Sequence, residues 1–133
     1  MKIHSVAMML VVVTFLAGAP THAQDGGSVT NATITSNVEN GAPVDFRQQF
    51  TSPTPRVFYY GELLGLKGQT GKFRWSLEGK TMQEVAVEVT LPRQAAWSMM
   101  KMQPEWTGDW TVEVLDGKGQ VIDRRNFAYS PPL

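Results

Sequence analysis

The chain has 133 residues, 42% of them hydrophobic, and its 12 Lys or Arg and 12 Asp or Glu leave no formal net charge. That balance gives no electrostatic basis for binding nucleic acid or an anionic membrane. The chain contains no cysteine, which excludes disulfides, cysteine nucleophiles and an anchor acylated on cysteine.

The N-terminal segment has the features of a cleavable secretory signal peptide over residues 1–23. Lys2 precedes an apolar run over residues 6–17, and Thr21-His22-Ala23 places small residues where a signal peptidase reads them. We expect cleavage after Ala23 and a periplasmic or secreted mature protein. The apolar run is about 12 residues and a membrane-spanning helix needs about 20, so we expect no membrane span.

Both histidines, His4 and His22, lie within that signal peptide. A mature chain without His and Cys has no Ser-His-Asp or Cys-His nucleophile, no usual zinc site and no histidine general base. The carboxylates are dispersed, and the segment Asp116–Gly119 has too few of them for a calcium loop. We therefore expect no catalytic residue, metal or cofactor, with a carboxylate-pair hydrolase as a distant alternative.

The mature chain reads as one domain. Residues 24–31 are small and polar and predict a flexible leader, and the domain itself is expected over residues 32–133. Apolar and polar residues then alternate between turn signals, as they do in half-buried strands. Strands are expected at residues 32–38, 44–50, 56–64, 72–77, 82–90, 94–101, 109–114 and 120–129.

The spacing of these strands predicts the fold class. No stretch shows helical spacing with capping residues over ten or more positions. Seven or eight short antiparallel strands in about 100 residues are typical of an immunoglobulin-like β-sandwich, with a small open barrel as the alternative. Trp75 and Trp110 alternate with polar neighbours, so we expect both in the core. Their expected partners are Val85, Val87, Val112 and Val114.

Spaced motifs occur in order over residues 32–129. They are Arg56-Val57-Phe58-Tyr59-Tyr60-Gly61-Glu62-Leu63-Leu64-Gly65-Leu66, Arg74-Trp75, Gly79-Lys80, Pro92-Arg93, Trp97-Ser98, Trp106-Thr107-Gly108-Asp109-Trp110 and Phe127. Together they resemble an uncharacterised bacterial family, domain of unknown function 2914. The resemblance implies a bacterial, periplasmic or extracellular protein and supplies no established activity. In that family histidine often precedes Arg-Trp, where this chain has Phe73, so no role of that imidazole is carried over.

Strand parity points to a candidate binding surface. One parity turns Phe58, Tyr60 and Glu62 outward, and two outward aromatic rings are unusual. Pairing of their strand with the strand of Arg74 would set Arg74 beside Glu62 as an ion pair. The alternatives are the opposite parity or a loop that covers the rings. Trp106 follows the break at Pro104, where its ring can stack on a sugar or a peptide, or plug the end of the sandwich.

These residues lead to an expected function. We expect a non-catalytic module that binds or scaffolds another cell-envelope protein, with glycan binding as the alternative because exposed aromatic platforms stack on sugar rings. Exposed coplanar rings would favour a glycan. An apolar patch or an open sheet edge would favour a protein partner.

Overall fold

A computed structural model describes residues 27–133. The predicted signal peptide and its cleavage site after Ala23 lie outside the described residues. Residues 27–133 form ten β-strands and no helix. The strands are β1 Ser28–Thr35, β2 Val38–Glu39, β3 Ala42–Pro43, β4 Gln49–Thr51, β5 Arg56–Leu64, β6 Thr70–Leu77, β7 Lys80–Glu88, β8 Arg93–Lys101, β9 Gly108–Leu115 and β10 Val121–Ser130.

Two sheets pack face to face. The three-stranded sheet has the order β1-β5-β8, the five-stranded sheet has the order β4-β10-β9-β6-β7, and β2 and β3 form a short hairpin. Neither main sheet closes on itself, so the predicted all-β sandwich is confirmed. β1 belongs to the three-stranded sheet and β4 to the five-stranded sheet, and the chain crosses between the sheets from β5 to β6 and from β7 to β8. This arrangement of strands is immunoglobulin-like.

The domain begins earlier than expected. Residues 28–31, predicted to belong to a flexible leader, are the first half of β1 and pair with the end of β5, Ser28 opposite Leu64 and Val29 opposite Leu63. The prediction was wrong for these residues because main-chain pairing does not require apolar side chains, and the single apolar residue, Val29, packs against the core.

One strand pair departs from the expected antiparallel pattern. β4 runs parallel to β10, with Phe50 opposite Tyr129. The side chains of both residues are buried. This contact closes one side of the five-stranded sheet at the C-terminal end of β10.

Two pairs of consecutive strands in the five-stranded sheet form hairpins. β6 and β7 are joined by Glu78 and Gly79, whose φ angles of 49° and 84° suit the two-residue turn that matches strand twist. β9 and β10 pair from Leu115 opposite Val121, with a shift in register between Val121 and Asp123. This irregularity is a β-bulge, and it agrees with the sequence, in which the apolar residues Ile122 and Phe127 differ in parity.

The core lies between the two sheets. Its buried side chains are Ile34, Phe50, Val57, Tyr59, Leu63, Leu66, Phe73, Trp75, Val89, Ala96, Met100, Met102, Trp110, Val112, Val114, Phe127 and Tyr129. Trp75 and Trp110 are fully buried, as predicted. The expectation for Val85 was wrong, because β7 is an edge strand and leaves that side chain 39% exposed.

A polar contact also joins the sheets. Tyr59 of β5 donates a 2.8 Å hydrogen bond from its hydroxyl to Asp123 of β10, and Arg125 forms an ion pair with the same carboxylate at 3.2 Å. Burial and the neighbouring Asp123 carboxylate raise the pKa of Tyr59 well above its ordinary value, so its hydroxyl stays a donor.

Candidate functional site

The expected surface is divided between the two sheets. Phe58, Tyr60 and Glu62 lie on β5 of the three-stranded sheet, whereas Arg74 lies on β6 of the five-stranded sheet. The predicted ion pair between Glu62 and Arg74 was therefore wrong. Consecutive strands need not pair in a sandwich, because the chain crosses from one sheet to the other between β5 and β6.

Each of these two charged residues has a different partner. Glu62 pairs with Arg93 of β8, the strand next to β5. Arg74 lies between Glu84 and Glu113, each at 3.2 Å, on the outer face of the five-stranded sheet. Both carboxylates belong to strands that flank β6. Arg74 is thus part of a network of ion pairs on this face that is separate from the β5 side chains.

Of the two parities considered for β5, the structure has the one that turns Phe58, Tyr60 and Glu62 towards the outer face. Val57, Tyr59 and Leu63 are buried towards the core, and the positions between them lie on the outer face of the three-stranded sheet. Tyr60 is nevertheless only 5% exposed. Its ring is covered by Trp97 of β8, the residue directly opposite, with ring centroids 6.3 Å apart and planes inclined at 17°.

Trp97 is the outward aromatic residue that sequence reasoning missed. Its side chain is 46% exposed, the largest aromatic ring open to solvent among residues 27–133. The alternation of polar and apolar residues does not reveal that Trp97 points outward, because Ala95 and Ala96 are both apolar although only Ala96 is buried. The next residue, Ser98, is polar but buried, so burial along this part of β8 does not follow residue polarity.

Four side chains on this outer face form a surface that we call the apolar strip. It consists of two cross-strand pairs, Tyr60 with Trp97 and Phe58 with Met99. Phe58 and Met99 also line a shallow hollow of about 400 Å³ bounded by Pro55 and Arg56. The strip is thus continuous over two adjacent strands and opens at one end into a concave surface.

A charged pair lies next to the apolar strip. Glu62 is two residues from Tyr60 on β5, and its carboxylate is paired with Arg93. Burial and the neighbouring Glu62 carboxylate raise the pKa of Tyr60. The phenol is therefore neutral at physiological pH, and its hydroxyl end faces the polar border of the strip.

Trp106 does not join this surface. It is partly buried and packs against the core, with its ring centroid 6.2 Å from that of Trp110. Its carbonyl oxygen accepts a 3.0 Å hydrogen bond from the indole nitrogen of Trp110. Of the two alternatives for Trp106, this geometry favours the plug at the end of the sandwich.

A larger groove lies on the opposite side of the domain, next to β10. Its volume is about 1190 Å³, and its lining includes Phe46, Arg47 and Arg125. Phe46 is 79% exposed. Sequence reasoning did not predict this groove, because it arises where the irregular segment before β4 runs beside β1 and β10.

Residues 27–133 show neither a metal-binding cluster nor a membrane-spanning helix. Within that range no group of three or more Asp or Glu side chains is arranged to hold a metal ion, and neither His nor Cys occurs there. The part of the chain that the structure describes also contains no helix long and apolar enough to cross a membrane.

Part of the chain matches a known protein family. Residues 69–129 match the family described as protein of unknown function, DUF2914. Over these residues the chain is similar to the DUF2914 family. The resemblance to this family is thereby confirmed. No curated protein matches the chain.

The DUF2914 match covers β6 to β10 and leaves β1 to β5 outside it. It therefore includes Arg74, Trp97 and Trp106. The motif over residues 56–66, which was part of the expected resemblance, precedes the matched region. Half of the apolar strip, on β8, thus lies within the matched region, and the other half, on β5, precedes it.

Proposed function

We propose that this chain is an exported, non-catalytic β-sandwich module that binds another cell-envelope protein through the apolar strip. One observation carries the proposal: Trp97 is 46% exposed on a sheet face, stacks on Tyr60 and shares that face with the neighbouring pair of Phe58 and Met99. Clustered apolar side chains with a polar border are a feature of surfaces that proteins bury in complexes.

The composition of this surface supports a protein partner. Aromatic residues, Met and Arg are enriched at protein interfaces, and Trp, Tyr and Arg most often carry the binding energy. Trp97, Tyr60 and Met99 supply the apolar centre. The ion pair of Glu62 with Arg93 supplies a border that can fix orientation.

An open sheet edge lies beside the strip. The nitrogen of Gly65 donates to the oxygen of Pro92 at 3.1 Å, so the main-chain groups of Pro92 face β5. Alternation then directs those of Ala95 and Trp97 away from β5, where no strand among residues 27–133 follows β8 in its sheet. Further along this edge, the oxygen of Met99 accepts a 3.1 Å hydrogen bond from the Gln83 side chain of β7. An extended segment of a partner protein can pair with such an edge while its side chains cover Trp97.

Glycan binding is the second candidate, and the exposed indole of Trp97 is the observation that favours it. An aromatic ring presents a flat apolar face to a sugar ring. Tyr60 is almost completely buried beneath Trp97, so the strip offers one open ring to a sugar. A sugar stacked on Trp97 would use neither the hollow at Phe58 and Met99 nor the open β8 edge.

The test uses Trp97→Ala with Leu91→Ala as the matched control, because Leu91 is a similarly exposed apolar residue outside the strip. A photo-reactive residue introduced at Ala95 in the exporting cell should form cross-links to a protein, and Trp97→Ala should reduce their yield about tenfold or more, as expected of an interface anchor. Leu91→Ala should leave the yield unchanged.

The outcomes separate the two candidates. Equal cross-linking in wild type and Trp97→Ala would show that the strip is not the binding surface. Co-sedimentation with purified cell-wall polysaccharide that Trp97→Ala abolishes, without protein cross-links, would replace the proposal by glycan binding.

Export and a bacterial source are part of the same proposal. Export is supported by the basic start, the apolar run and the Thr21-His22-Ala23 segment of the sequence. The bacterial source is what the resemblance to DUF2914 implies. Mass spectrometry of the mature protein should find Gln24 as its first residue. A protein that retains Met1 in its native cell would contradict export by this signal.

A further inference from the structure

Two cations lie directly opposite each other at one end of the apolar strip. Arg56 of β5 pairs with Lys101 of β8 in the register of the three-stranded sheet. The nitrogen of Met102 donates to the oxygen of Pro55 at 2.8 Å, so that pair is hydrogen-bonded and the next one, Arg56 with Lys101, is of the closer, non-hydrogen-bonded type. Both side chains are exposed, and strand alternation puts them on the outer face that carries the strip.

No carboxylate among residues 27–133 forms an ion pair with Arg56 or Lys101. The carboxylate on the same face of β5, that of Glu62, is paired with Arg93 at the other end of the strip. Several other cations of the strands each have a carboxylate partner; they are Lys72, Arg74, Arg93, Arg124 and Arg125. The pair at this end of the strip therefore differs from them in having two opposed cations without a counter-charge.

This arrangement is unfavourable for the isolated domain, because like charges directly opposite one another on neighbouring strands repel. Neither side chain offsets the repulsion by packing in the core, since both are exposed. A carboxylate placed between the two cations would remove the repulsion and make two charge-assisted contacts. The Arg56–Lys101 pair is therefore complementary to an anionic group.

The cations continue the apolar strip along the same two strands. Arg56 bounds the hollow that Phe58 and Met99 line. Trp97 and Lys101 lie on the same face of β8 and are four residues apart, which is about 13 Å along a strand. An extended segment that lies along β8 with an apolar side chain at Trp97 would therefore reach the cations with the side chain four residues away.

We propose that the partner segment that covers the apolar strip is acidic at one end, with an Asp or Glu carboxylate bound between Arg56 and Lys101. This inference rests on the proposed function and adds the chemistry of the partner: an apolar residue at Trp97 and a carboxylate four residues from it. A protein segment fits better than an anionic polysaccharide, because Phe58 and Met99 separate Trp97 from the cations and offer no hydrogen bonds to the hydroxyls of a glycan.

The test measures cross-linking from a photo-reactive residue at position 95 in the exporting cell. The double variant Arg56→Gln/Lys101→Gln should reduce the yield about tenfold or more. Lys67→Gln/Lys118→Gln is the matched control, because it removes the same charge at exposed positions in turns outside the strip, and it should leave the yield unchanged. Mass spectrometry of the cross-linked partner should find Asp or Glu about four residues from an apolar residue at the attachment site.

Charge, and not the shape of the two side chains, should matter: Arg56→Lys/Lys101→Arg should cross-link like wild type. Arg56→Gln/Lys101→Gln should melt no lower than wild type, because it removes a repulsion; a lower melting temperature would make the pair structural and overturn the proposal. A full yield from this variant also overturns it, and if Trp97→Ala still loses the yield, the proposed function stands. Equal yields in wild type and Trp97→Ala contradict the proposed function itself.

Discussion

The indole nitrogen of Trp75 donates a 3.0 Å hydrogen bond to the side-chain oxygen of Ser98, and this bond joins the two sheets inside the core. Trp75 lies on β6 and Ser98 on β8, and both are buried. A buried donor that loses its acceptor has no water to replace it, so the two residues depend on each other.

Ser98→Ala should lower the free energy of unfolding by about 1–3 kcal/mol, because it leaves the indole N–H of Trp75 unsatisfied. Urea denaturation followed by circular dichroism would measure the change. Ser130→Ala, at an exposed position, should change stability by less than about 0.5 kcal/mol. In a Trp75→Phe background, Ser98→Ala should have a smaller effect on the free energy of unfolding. If the effects of the two substitutions simply add, the hydrogen bond contributes nothing to stability.

Trp110→Ala should cost about 3–5 kcal/mol, because the indole is fully buried and stacks on Phe127 with ring centroids 5.8 Å apart. Trp75→Ala should cost a similar amount. Thermal unfolding would show both losses, with Leu91→Ala as an exposed apolar control. Unchanged melting temperatures in both tryptophan variants would contradict their placement in the core.

Gly61→Ala should destabilise the fold by about 1–3 kcal/mol through overpacking. A Cβ at this position would lie 2.8 Å from a methyl carbon of Val29 and 3.0 Å from the hydroxyl oxygen of Tyr59. That hydroxyl is the one bonded to Asp123. Denaturation in a Tyr59→Phe background should show a smaller cost, and an unchanged cost would place the clash at Val29 alone.

Asp45 should make stability depend on pH in the acid range. Burial alone would raise its pKa, but hydrogen bonds from Ser36 and Thr35 outweigh burial and hold the pKa below the ordinary 3.8. A folded-state pKa that is lower than the unfolded one gives stability that is present above pH 3.8 and lost as the pH falls through the folded value.

Asp45→Asn should therefore flatten the acid limb of a plot of melting temperature against pH, while lowering stability near pH 7. The substitution weakens three hydrogen bonds that the Asp45 carboxylate accepts. Their donors are the Thr35 hydroxyl at 2.7 Å, the Ser36 hydroxyl at 2.6 Å and the Ser36 nitrogen at 2.8 Å. Glu39→Gln, on a nearby exposed side chain, should leave the acid limb as in wild type. Parallel curves for Asp45→Asn and wild type would contradict this role.

Arg74 should couple to Glu113 and not to Glu62. The effects of Glu62→Gln and Arg74→Ala on the free energy of unfolding should add within about 0.5 kcal/mol, because the two residues lie on different sheets. Glu113→Gln combined with Arg74→Ala should depart from additivity, since the two side chains are 3.2 Å apart. Coupling between Arg74 and Glu62 in such a cycle would contradict the sheet assignment.

The predictable features are those that depend on neighbours along the chain. Alternation determined that Trp75 and Trp110 point inward, because successive side chains of a strand face opposite sides whatever the strand pairs with. Glu78 and Gly79 determined the β6–β7 hairpin, because their backbone conformations suit a two-residue turn. The change of parity between Ile122 and Phe127 likewise required the irregularity in β10.

The surface depends on which strands become neighbours, and only the tertiary structure decided that. β5 and β8 pair although 28 residues separate the end of one from the start of the other, and this pairing brings Trp97 over Tyr60 and Arg93 beside Glu62. The position of β7 at the edge exposes Val85 in spite of its apolar parity. Local alternation fixes the face on which a side chain lies, whereas its burial and its partner depend on contacts between residues that are distant in the chain.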